Sequence, residues 1–115
     1  MSNINDFAKE IALEIPPSDD KNYSFDLGLI IIIGTIITNV FQLLIKCNVF
    51  GRSLADRVKN PGTIDRILLS RAIKKELPQE YAHLKDQVKD IILTKVKSMP
   101  AEKINTMAKE AQDAR

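Results

Sequence analysis

With 115 residues, 44% of them hydrophobic and 28% charged, the chain has the balance of one small globular domain rather than of a disordered segment. Its single cysteine, Cys47, excludes an intramolecular disulfide framework. One histidine, one cysteine and no Cys-x-x-Cys pair exclude the usual zinc sites, and a net charge of +2 sets it apart from strongly basic nucleic-acid binders.

The first helix is predicted from Ile4 to Ile15, where Ile4, Phe7, Ala8, Ile11 and Ile15 recur at helical spacing behind Asn3 as N-cap. Pro16-Pro17 ends it, because proline lacks a donor and restricts its predecessor. The polar stretch through Phe25 reads as a linker. The opening residues show no basic region followed by an apolar run, so no cleavable secretory signal and a reducing, cytosol-type setting are expected. A second, long helix is predicted from Asp26 to Cys47, and Ser53 to Val58 form a short helical turn. Asn60-Pro61-Gly62 is a turn signal. Thr63 then caps a third helix over Ile64 to Leu77, with Ile64, Leu68, Leu69, Ala72, Ile73 and Leu77 on its buried side. Pro78 opens a fourth, with Tyr81, Leu84, Val88, Ile91, Ile92 and Val96 buried and an end near Met99. Pro100 opens a fifth, whose thin apolar face is Ile104, Met107, Ala108 and Ala111.

Charge is unevenly placed along this order. Residues 1–26 carry two lysines against six acids, a net of −4, and residues 46–98 carry twelve basic side chains against six acids, a net of +6. The chain therefore divides into residues 1–25, an amphipathic helix with an acidic linker, and residues 26–115, a helical domain with its central helix over 26–47 and basic helices over 63–99.

Leu27 to Ile45 contains no charged side chain across 19 residues, which is long enough to span a bilayer. Acidic residues before it and basic residues after it suit an N-out, C-in orientation. Against this stands a polar stripe. Thr35, Thr38, Asn39, Gln42 and Lys46 follow i, i+3, i+4, i+7 and i+11 and so share one helical face. Burying Asn and Gln unpartnered in hydrocarbon is costly, whereas a helix with a wide buried face in water needs such a stripe. In a bilayer the stripe would have to face other copies of the protein. These five residues are the candidate interaction site. The run Tyr23-Ser24-Phe25-Asp26-Leu27-Gly28-Leu29-Ile30-Ile31-Ile32-Ile33-Gly34, continuing to Cys47, resembles short, functionally uncharacterised proteins of tailed marine bacteriophages. The resemblance implies phage origin and a place in the particle, and carries no catalytic or binding residues with it.

Nothing in the sequence assembles a reaction centre. His83 has Glu80 and Asp86 at i−3 and i+3, the setting of a solvated surface histidine. Cys47 reads as a small, half-buried apolar residue at a helix end, since a helix C-terminus does not favour a thiolate. No Walker A, GxGxxG, GxSxG or HExxH string occurs. In the basic half, acids interleave at Asp56, Asp65, Glu76, Glu80, Asp86 and Asp90, and no stacking aromatics accompany the cations. Solvated helix faces explain this pattern, and nucleic acid is the least favoured partner.

The fold expected is all-α: a small bundle of four to five helices around a long aliphatic helix, packed by the third and fourth. The function expected is non-enzymatic, without cofactor or metal. It is that of a structural or interaction protein, a virion component in the particle or host cytoplasm, forming a homo-oligomer or joining a larger assembly. The alternative is a single-span protein of the inner membrane, N-out and C-in, with a basic cytosolic helical tail.

Overall fold

The computed structural model describes residues 3–15, 27–47 and 51–114. The expected linker and the Asp26 cap lie outside them. Among the described residues six α-helices form in chain order: α1 (Asn3–Glu14), α2 (Leu27–Lys46), α3 (Leu54–Lys59), α4 (Thr63–Glu76), α5 (Lys85–Lys97) and α6 (Ala101–Asp113). A 3-10 helix, Gln79–Leu84, precedes α5, and no strand occurs among the described residues. The architecture is the all-α bundle expected.

α2 is the central strut, though its neighbours differ from expectation. It packs against α1, α4 and α6, while α5 packs against α1, α3 and α4. Ile104, Met107, Ala108 and Ala111 of α6 are all buried, and the α6 backbone comes close enough to α2 for the Ala111 carbonyl to accept the Gln42 amide at 2.9 Å. α1 meets α2 at small residues, because a Cβ built on Gly34 would lie 3.8 Å from that of Ala8. From α2 the core takes Leu29, Ile33, Ile36, Ile37, Phe41 and Leu44. Each buried Leu, Ile or Phe contributes roughly 1.5–3 kcal/mol before chain entropy is subtracted. Leu84 and Ile91, expected on a buried stripe, are only partly buried against this core.

The expected single helix from Pro78 to Met99 is two elements. Tyr81 and Leu84 are three apart, and in a 3-10 helix such residues eclipse. Tyr81 donates its backbone N–H to the Pro78 carbonyl, and both side chains turn half-buried against the core. From Val88 the spacing becomes four, with Ile92 and Val96 following, and the chain continues as α-helix with all three buried.

Helix ends fit their local sequence with two corrections. Ser53 caps α3 by accepting the Asp56 N–H at 3.1 Å. α4 starts behind Gly62, whose N–H donates to the Asp65 carboxylate at 3.0 Å, so Thr63 is its first residue rather than its cap. Asn3 is the first residue of α1, and its side-chain amide donates to Glu110 rather than capping the helix. The capping carboxylate is Glu110 of α6, which accepts the N–H groups of Asn3 and Ile4 at 3.0 Å each. A carboxylate there satisfies open amides and complements the positive end of the helix dipole.

Candidate functional site

The stripe of α2 divides into an inward-bonded half and a half that reaches its neighbours. Thr35 and Thr38 donate their hydroxyls to the carbonyls four residues earlier, Ile31 at 3.0 Å and Gly34 at 2.9 Å. This back-bonding is the usual way a helix satisfies a mid-helix threonine. The Asn39 amide donates to the Glu76 carboxylate at the end of α4, at 3.3 Å. The Gln42 amide donates to the Ala111 carbonyl of α6, at 2.9 Å. Lys46 is exposed at the last turn. None of the five lies in the fully buried core: Asn39 and Gln42 are held by groups of α4 and α6, and Thr35 and Lys46 are exposed.

Two shallow grooves flank this face. One, of about 350 Å³, has Thr35 and Thr38 on one wall and Ile4, Asn5 and Glu110 on the other, with Ile31 at its rim. Ile31 is 70% exposed. The second, of about 370 Å³, gathers Asn39, Gln42 and Lys46 with Lys75 and Gln112. Both are at the small end for ligand sites. Their chemistry is that of contact: hydrogen bonds from amides already placed, and two ammonium groups, Lys46 and Lys75, able to meet a carboxylate. His83 is exposed, as expected. Cys47 is exposed too, correcting the half-buried expectation, because α2 ends at Lys46 and leaves the thiol one residue past the packed turn. Among the described residues no group of three His, Cys, Asp or Glu side chains is placed to hold a metal ion.

A polar knot that sequence reasoning missed holds the far end of α2. Arg57 and Asp65, expected among solvated charges, are 2% and 5% exposed and pair at 2.8 Å. Arg57 also donates to the Leu44 carbonyl at 2.9 Å, one of the acceptors a helix leaves open in its last turn. Arg52 adds a second cation 3.6 Å from Asp65 and pairs with Asp56 at 2.7 Å. The Arg52 hydrogen bond holds the exposed Asp56 carboxyl below the ordinary carboxylate range. The one available signal was position. Arg57 and Asp65 stand on either side of Asn60-Pro61-Gly62, so a tight turn brings them face to face.

Outer faces complete the surface. Leu13, Ile64 and Ile67 are 60%, 57% and 53% exposed. Ile64 was expected on the buried side of its helix. The buried face of α4 is instead Asp65, Leu68, Leu69, Ala72 and Ile73, so the inward-turned Asp65 takes the place next to it and rotates Ile64 outward. Compared with known proteins, the chain matches no family model, no curated protein and no solved structure.

Proposed function

We propose that the chain is a non-enzymatic structural or interaction protein, a component of a phage particle that assembles with itself or with a larger partner. The observation that carries this reading is the state of α2. Its inner apolar face, Leu29, Ile33, Ile36, Ile37, Phe41 and Leu44, is buried in a core that α1, α4 and α6 share with it, and Asn39 and Gln42 of its polar stripe find Glu76 and Ala111 within the same chain. A helix so provided for does not call for lipid. What remains outside is a small set of large aliphatic side chains, Leu13, Ile31, Ile64 and Ile67, each more than half exposed. Large aliphatic side chains left on the surface of several helices are available for contact with another protein. The resemblance of residues 23–47 to short phage proteins supports the particle setting.

Sedimentation equilibrium of the full chain without detergent tests this. A defined species larger than 12.9 kDa, or a stable complex with another particle protein, is expected. A monomer that associates with neither contradicts it.

A single-span membrane protein, N-out and C-in, is the second reading. Gly28–Lys46 is long and apolar enough to cross a bilayer, and 39% of it is buried, which leaves surface that lipid could cover. By length and composition a core helix of a soluble bundle passes the same test.

A further inference from the structure

We propose that the chain joins to itself head-to-tail, the outer face of α1 in one copy docking antiparallel on the outer face of α4 in the next. This rests on the self-assembly reading above and names its surfaces. The outer face of α4 carries Ile64 and Ile67 with Arg66, Arg71, Lys74 and Lys75, all exposed. Its two acids are withdrawn, Asp65 into the knot and Glu76 to Asn39. None of the four cations joins an ion pair among the described residues. Two isoleucines thus stand in water inside an uncompensated positive field.

The outer face of α1 has the complementary character. Leu13 is at its centre, with Glu10 at i−3 and Asp6 at i−7, all exposed. Glu14 beside them is already paired with Lys95 of α5. On α4, Arg71 and Lys74 stand at i+4 and i+7 from Ile67. At 1.5 Å rise per residue, Asp6 lies about 10.5 Å from Leu13 along its axis, and Lys74 lies about 10.5 Å from Ile67 along its own. Antiparallel helices with Leu13 set level with Ile67 therefore bring Asp6 level with Lys74 and Glu10 within one residue's rise of Arg71. The same orientation turns Lys9, the one cation of the α1 face, toward Ser70 and away from Arg71. Nucleic acid or an anionic lipid surface would answer the cations of α4 but would leave the acidic, leucine-centred face of α1 without a role. Because the two faces differ, the contact is heterologous and repeats into rings or filaments.

Charge reversal on each face tests this in the full chain. By sedimentation velocity, Arg71→Glu/Lys74→Glu and Asp6→Lys/Glu10→Lys should each weaken self-association at least about tenfold. An equimolar mixture of the two should restore it, since each reversed face then meets its opposite. Circular dichroism melts unchanged from wild type keep a loss of association separate from a loss of folding, and Leu13→Ser, which alters no charge, should weaken the same step. An oligomer that persists in both reversed variants overturns the inference while leaving self-assembly standing. A wild-type chain that stays monomeric overturns the self-assembly reading itself. Binding of wild-type monomer to phosphatidylserine vesicles or to duplex DNA, abolished by Arg71→Glu/Lys74→Glu, gives α4 a different partner and also overturns the inference.

Discussion

Arg57 and Asp65 pair where water is excluded, and their energetics follow from that. Removing one partner of a buried ion pair leaves the other charge uncompensated, at a cost of about 3–5 kcal/mol. Asp65→Ala should therefore lower unfolding free energy by about that amount in urea titrations, whereas Arg57→Met/Asp65→Leu should recover much of the loss. The Arg57 guanidinium has one nitrogen, Nη2, buried without a partner, which makes the apolar replacement less costly still. Arg52 and Asp56 are different, because Asp56 lies at the surface. With Arg52 in place the Asp56 carboxyl titrates below its ordinary value of 3.8, and Arg52→Ala should move it back up toward that value in an NMR pH titration. The sign follows from linkage: a depressed carboxylate pKa adds stability above the ordinary value that disappears as pH falls through the depressed one. At this scale the sequence is least legible. Spacing shows Arg57 and Asp65 as two charges among eighteen between residues 46 and 98, and only the turn between them hints that they meet. Glu110, 106 residues from the Ile4 amide it caps, left no local signal.

The helices themselves were far more legible than their ends or their partners. Periodicity located the longer helices α1, α2, α4, α5 and α6, because a buried face must recur at 3.6 residues wherever it packs. It erred where a second rule competed with it. Tyr81 and Leu84 obey a spacing of three and form a 3-10 turn; Ile64 fits the apolar pattern of α4 but yields its place to a buried carboxylate. The stripe of α2 was readable because five polar residues at helical spacing leave little choice of face, yet no feature of the sequence distinguishes α6 from α5 as its neighbour. Gly34 offers a test of the α1–α2 contact. An added Cβ would meet Asn5 at 3.7 Å and Ala8 at 3.8 Å, ordinary contact distances, and glycine costs a helix interior about 0.8–1 kcal/mol relative to alanine. Gly34→Ala should raise the melting temperature, and Gly34→Leu should lower it, because atoms beyond the Cβ must displace Asn5 and Ala8 where α1 meets α2. Ile33→Asp, at a site with no exposure, should abolish the cooperative melt altogether.

For the whole molecule, one core joins both ends of the described chain. α1 packs on α2 and α6, and Glu110 ties the start of α1 to the last turns of α6. The radius of gyration, 13.7 Å, is close to the roughly 13 Å expected of a folded domain this size. Both facts place the inner face of α2 in a protein core, while the rest of Gly28–Lys46, of which 39% is buried, stays open on the outer side around Ile31 and the groove beside it. Expression of the full chain without detergent, followed by membrane fractionation and a carbonate wash, addresses this claim most directly. The account predicts that the protein remains in the supernatant, or leaves the pellet with the wash; a pellet that retains it through carbonate would contradict the account and make α2 a bilayer span.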